Sequence, residues 1–171
     1  YINKNGLIIE GPDGTIIAKN IQARTKILDL EECDFCVIAT KALNLEESIK
    51  NLKDQIDLST PIITIQNGLG AGDIVMKHMP KNEIILGVAE GFGACLTSPG
   101  HVKHTANKQI RLGLISKKRK GRKLENIVST WRSGGLEIEI YEDIEQLVWE
   151  KLLCNVTLSG PCSIFRCNVK G

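Results

Sequence analysis

The sequence predicts an α/β fold: a parallel sheet with helices on its faces, an antiparallel portion, and one long helix near the end. Three observations predict it. Residues 34–89 carry three continuous apolar runs separated by two helix-like stretches, the alternation of a parallel sheet with crossover helices. Residues 91–115 hold short strand-like runs punctuated by turn residues. From Asp143 the spacing of apolar residues turns helical and stays so for about four turns.

Each element has its own warrant. Leu7–Ile9 and Thr15–Ala18 flank Gly11-Pro12-Asp13-Gly14, so residues 1–28 read as short strands and turns. Phe35-Cys36-Val37-Ile38-Ala39 is continuously apolar, as a strand buried on both faces would be. Ala42, Leu45, Ile49, Leu52 and Ile56 then recur at spacings of three and four, opposite Glu46, Glu47, Lys50 and Lys53. Pro61–Ile65 is a second strand, Asp73–Met79 a short helix and Glu83–Ala89 a third strand. Gly91–Leu96, His101–Thr105 and Gln109–Ile115 suggest antiparallel hairpins, with Ser98-Pro99-Gly100 as a turn. Leu124–Arg132 reads as a helix and Glu137–Tyr141 as an exposed-edge strand. The last helix runs from Asp143 to about Leu158, with Gly160-Pro161 expected to break it.

Composition narrows the function. The 171 residues are 42% hydrophobic and 25% charged, enough apolar material for a core. Twenty-two basic against 20 acidic residues, with 4% aromatics, argue against a nucleic-acid protein. No apolar run reaches the roughly 20 residues of a membrane span. The basic run 117–123 reads as a solvated loop, with phosphate binding or targeting as the alternative. The six cysteines read as small buried apolar residues and no metal site is expected. Cys33 and Cys36 have ligand spacing, but Cys36 falls in a strand that cannot supply the tight turn. The lack of a leader after Tyr1 suggests a reducing, cytoplasmic setting with free thiols, and a start at Tyr1 rather than Met with no closing element at 168–171 suggests a fragment of a longer protein.

Ligands of open parallel sheets bind beyond the carboxyl ends of the strands. Lys41 and Asn67 stand at two such ends, although either could be a solvated helix start or a turn former. Gly68-Leu69-Gly70-Ala71-Gly72 is Gly-rich, but Asp73 follows where a dinucleotide fingerprint has Gly or Ala, so it reads as a close-approach loop. On the last helix Lys151, Asn155 and Ser159 form one stripe among apolar neighbours, which predicts a helix buried on several sides. The stripe either lines a cleft or snorkels to water.

Four ordered motifs carry a resemblance. They are Ala39-Thr40-Lys41-Ala42, Gln66-Asn67-Gly68-Leu69-Gly70, Ser98-Pro99-Gly100-His101-Val102-Lys103-His104 and Trp149-Glu150-Lys151-Leu152-Leu153-Cys154-Asn155. Their succession resembles the ketopantoate reductases (2-dehydropantoate 2-reductases) over nearly the whole chain. The resemblance implies a Rossmann-like sheet over 1–141, as a partial NADP-binding domain, and the first helix of an all-α substrate domain over 142–171. It implies NADPH-dependent reduction of ketopantoate to pantoate, toward pantothenate and coenzyme A. Lys151 matches the catalytic lysine, Asn155 and Ser159 the substrate-contacting positions, and Lys41 and Asn67 the cofactor-facing ones. The family often has Asn where Ser159 stands. The family's Gly-rich amino-terminal unit and most of its helical domain have no counterpart here, so the chain alone is expected to be inactive. The partner is a small 2-oxo acid, with no nucleic acid and no membrane, and a homodimer is a possible assembly. The competing readings are a reductase of another 2-oxo acid and a non-catalytic Rossmann-like binding module.

Overall fold

The computed structural model describes residues 1–26, 33–106, 109–115 and 122–168, with Arg122 described by its backbone alone. The order is α1 (Ile2–Asn5), β1 (Leu7–Gly11), β2 (Gly14–Ala18), β3 (Cys36–Ile38), a 3-10 turn (Ala42–Asn44), α2 (Leu45–Leu52), β4 (Ile62–Thr64), α3 (Ala71–His78), β5 (Ile84–Glu90), β6 (Gly93–Ser98), β7 (His101–Ala106), β8 (Gln109–Leu114), α4 (Arg122–Ser133), β9 (Ile138–Ile140) and α5 (Ile144–Phe165). Six residues of the basic run 117–123 and its surroundings, 116–121, lie outside the described residues.

The main sheet has the order β3-β4-β5-β8-β9. β3, β4 and β5 are parallel, in register Ile38–Thr64 and Thr64–Leu86. This is the predicted strand–helix–strand alternation. Even-numbered side chains of β4 and β5 turn to one face, where Ile62 and Ile84 pack with Leu45, Ile49, Leu52 and Val75 of α2 and α3. Odd-numbered ones turn to the other, where Ile63 and Ile85 meet Leu124, Ile127 and Val128 of α4. Full burial of each such side chain is worth about 1.5–3 kcal/mol, so the two-sided core holds the parallel strands in one register.

Several expectations are corrected. β3 is an edge strand, with Val37 exposed, so its continuous apolarity does not mean two covered faces among the described residues. β8 does not extend the hairpin after β7; it returns to the main sheet antiparallel to β5. β6 and β7 do form a hairpin, and β7 runs parallel to β1, giving a second sheet β2-β1-β7-β6. α1, a helical turn at residues 2–5, was not foreseen. The cysteines are not buried: Cys33, Cys95, Cys154 and Cys167 are exposed, and Cys36 and Cys162 half-buried, all as free thiols.

The largest correction concerns α5. It passes through Pro161 and ends at Phe165, where the left-handed backbone of Arg166 (φ 52) stops it. A proline removes one intrahelical N–H and crowds the carbonyl four residues earlier. Here that carbonyl belongs to exposed Thr157, where water can bond it. Nor is α5 buried on several sides. Ile144 and Leu147 are buried, but Trp149, Leu153, Val156, Leu158, Ile164 and Phe165 are 46–78% exposed. Apolar pattern alone could not say which faces are covered.

Candidate functional site

The site is built on the carboxyl edge of β3, β4 and β5. Lys41 lies three residues beyond β3, on extended backbone (φ −60, ψ 146) just before the 3-10 turn. Asn67 lies three residues beyond β4. Both are exposed. Two strand spacings, about 10 Å, separate the end of β3 from that of β5, so the three ends form one short rim.

Gln66 holds this rim together, a role sequence reasoning missed. Its amide nitrogen donates to the carbonyls of Ile38 (2.8 Å) and Thr40 (3.1 Å), and its carbonyl oxygen accepts from the Thr64 hydroxyl. All of these partners are satisfied only with the amide in this orientation. The side chain therefore ties the end of β4 to the end of β3, fixing the turns that present Lys41 and Asn67. The available signal was a glutamine directly after an apolar strand. Beyond it, Gly68 (φ 95) and Gly70 (φ 85) take left-handed backbone, which glycine adopts without steric penalty. Gly70 caps α3, and Asp73 sits in that helix's first turn. The Asp73 carboxylate takes the favourable place at the positive helix end and would repel a phosphate there.

α5 brings the third element to the rim. Asp143 caps it by accepting from the Gln146 N–H at 3.2 Å. Its first turns pack Ile144, Leu147 and Val148 against Leu86 and Val88 of β5, on the face that also carries α2 and α3. Gly113 of β8 permits this approach: a Cβ there would lie 2.4 Å from the Tyr141 carbonyl oxygen and 2.5 Å from the Ile144 Cβ. Two turns further on, the Lys151 ammonium donates to the Ala89 carbonyl at the carboxyl end of β5. Burial pulls the Lys151 pKa below the usual 10.5, while the nearby Glu90 carboxylate acts in the opposite direction. Glu90 is itself held by Arg111 at 2.6 Å; Arg111 also meets Glu139 at 3.4 Å and lies 5.8 Å over the Tyr141 ring.

The geometry thus brings Lys41, Asn67 and Lys151 to the ends of three adjacent parallel strands. Asn155, one helical turn beyond Lys151, is half-buried; Ser159, a further turn on, is exposed. On another side of α5, a cleft of about 460 Å³ runs between Gly70, Asp73 and Leu86 on one side and Glu145, Val148 and Trp149 on the other. The described residues contain no cluster of three or more metal-ligating side chains, and no described helix is long and apolar enough to cross a membrane.

The chain is similar to known proteins over most of its length. The family described as ketopantoate reductase PanE/ApbA matches residues 1–117. A 2-dehydropantoate 2-reductase from Halobacterium salinarum is 25% identical over 163 residues, covering 95% of this chain and 53% of the relative. A crystal structure of 2-dehydropantoate 2-reductase from Geobacter metallireducens superposes with a TM-score of 0.86 at 24% identity, over 96% of this chain and 54% of that one. The ternary structure of D-mandelate dehydrogenase with NADH and anilino(oxo)acetate gives a TM-score of 0.84 at 23% identity, over 96% and 52%. The chain therefore spans about half the length of the relatives it matches. Four motifs in order, the three-ended rim with its lysine, and a family match over more than half the residues lead to one conclusion: the chain belongs to the ketopantoate reductase family.

Proposed function

We propose that this chain forms the reacting edge of an NADPH-dependent 2-dehydropantoate 2-reductase, which converts ketopantoate to pantoate on the route to pantothenate and coenzyme A. The observation that carries this reading is the Lys151 ammonium, bonded to Ala89 at the rim next to the strand ends of Asn67 and Lys41. The residues present fit the nicotinamide end of such a cofactor. Lys41 offers a cation, Asn67 an amide, and Gly68 and Gly70 leave the backbone open to close approach. They do not form a pyrophosphate cradle, because Asp73 opposes one at the start of α3. That cradle, in this reading, comes from polypeptide outside these 171 residues.

The nicotinamide supplies the hydride. The chain's residues handle charge, orientation and proton. Reduction of a 2-oxo acid builds negative charge on the carbonyl oxygen, and the Lys151 ammonium stabilises that charge and donates the proton. Burial lowers its pKa and makes it a stronger acid than a solvated lysine, while the Glu90 carboxylate opposes that shift. Asn155 and Ser159 hold the substrate from the same stripe, while Asn67 and Lys41 orient the cofactor side. The two domains of this reading meet at 141/142, where β9 gives way to α5. Unpaired thiols throughout support a cytoplasmic setting. A homodimer belongs to the same proposal; sedimentation tests it.

A second reading, another 2-oxo acid, is favoured by Ser159, whose short exposed hydroxyl reaches less far than an amide. The test is 2-oxo acid-dependent NADPH oxidation by the complete gene product across a panel of 2-oxo acids. Ketopantoate as the best substrate supports the proposal, and no oxidation with any 2-oxo acid refutes it. The 171-residue chain alone is expected to give no turnover, and turnover by it would contradict the assignment of the missing cradle.

A further inference from the structure

The end of α5 brings two cysteines together. Arg166 takes left-handed backbone (φ 52, ψ 38), and the Cys167 N–H then folds back onto the Cys162 carbonyl at 3.1 Å. This six-to-one bond is the Schellman closure, in which the residues three before and two after the helix end lie side by side. Here those residues are Cys162 and Cys167. With ordinary backbone dimensions, the 3.1 Å bond limits their Cα atoms to about 7 Å apart, at or within the span a disulfide bridges. Cys162 is half-buried and Cys167 exposed. Arg166 is also the one non-glycine with positive φ among the described residues, so the juxtaposition depends on a backbone state that L-residues adopt at a cost.

We propose that Cys162 and Cys167 form a reversible thiol–disulfide site that takes low-molecular-weight disulfides such as glutathione disulfide as its oxidant. The exposed Cys167, as thiolate with its proton lost to solvent, attacks one sulfur of the small disulfide and expels one small thiol. Cys162, giving its proton to solvent, then displaces the second small thiol from Cys167. Two protein thiols are oxidised to one protein disulfide, and one small disulfide is reduced to two thiols. The bridge pins the last turn of the helix that carries Lys151 and Asn155. It is independent of the reaction proposed above, and its test needs no enzymatic activity.

The chain supplies its own readout. Trypsin cleaves after Lys151, Arg166 and Lys170, so Cys162 and Cys167 fall on separate peptides. The reduced, folded chain is exposed to glutathione disulfide, its remaining thiols are blocked by alkylation, and the digest is analysed by mass. The expected product is Leu152–Arg166 linked to Cys167–Lys170. The link persists in Cys154→Ser, and it is lost in Cys162→Ser, where Cys167 keeps a glutathione adduct instead. Arg166→Val disfavours left-handed backbone and slows closure about tenfold; Arg166→Gly does not. Their bridge is read as loss of two hydrogens from the Leu152–Lys170 peptide. Separate glutathione adducts on both cysteines without a link, a link that vanishes in Cys154→Ser, or Arg166→Val closing as fast as the parent would each overturn the proposal.

Discussion

Replacing Gly113 by alanine tests how α5, and with it Lys151, is held against the sheet. The new Cβ would stand 2.4 Å from the Tyr141 carbonyl oxygen and 2.5 Å from the Ile144 Cβ. Contacts of this kind settle at about 3.5 Å, so roughly 1 Å of movement is required. Neither neighbour is a free side-chain end: one is backbone and the other is attached directly to it. The start of α5 must therefore back away from β8, opening the contacts of buried Ile144 and Leu147. Overpacking of this sort costs about 1–3 kcal/mol. In urea unfolding that lowers the midpoint by roughly 1 M, and in thermal unfolding by roughly 2–10 °C. Lys151 lies about 10 Å along the helix from Ile144, so the shift also loosens its bond to Ala89. Gly134→Ala is the matched control, since its Cβ would meet nothing closer than 3.4 Å; it should stay within about 0.5 kcal/mol of the parent. Gly113→Ala as stable as Gly134→Ala would refute this account of how α5 is seated.

Other perturbations read other parts of the structure. Gln66→Ala removes the two amide N–H bonds that join the end of β4 to that of β3, and the acceptor of the Thr64 hydroxyl, and should lower stability by about 1–3 kcal/mol in urea titration; a change under 0.5 kcal/mol would deny the rim its tie. Burial pushes the Cys36 thiol from 9.0 up to about 11, with the Cys33 charge adding to the shift. At pH 8 its thiolate fraction is then about a hundredfold below that of an ordinary thiol, so mass-resolved iodoacetamide labelling should leave Cys36 for last. Lys151 carries a lowered pKa in the folded state, so folding favours its neutral form and the unfolded chain binds the extra proton. Parent stability should therefore rise relative to Lys151→Met as pH rises through the folded pKa toward 10.5, and level off above it. Paired denaturation curves at several pH values would show the opposite trend if the lysine were stabilised by charge pairing instead.

The strand–helix alternation of 34–89 was legible because continuous apolar runs and i, i+3, i+4 spacings leave little choice of element. The return of β8 to β5 was not, since a short apolar strand can pair with either neighbour and the pattern does not say which. The exposure of α5 was hidden for a related reason: apolar composition records that a helix prefers cover, not that cover is within reach. Lys41, Asn67 and Lys151 could be picked out because a polar group at a strand end or on an apolar helix stands against its surroundings. Gln66 and the Arg111 network could not. Their function lies in partners 26 to 28 residues away in sequence for Gln66, and 21 and 28 away for Arg111, and the sequence does not announce such pairings.

The central claim is that Lys151 gives the proton to the carbonyl oxygen of a 2-oxo acid. The most direct measurement is the pH profile of ketopantoate-dependent NADPH oxidation by the complete gene product, for the parent and for Lys151→Ala. The account predicts a parent rate that falls as pH rises through a lysine pKa below 10.5, and an alanine variant at least about a hundredfold slower in kcat that lacks this falling limb. An alanine variant with the parent's kcat and the same alkaline limb would contradict it.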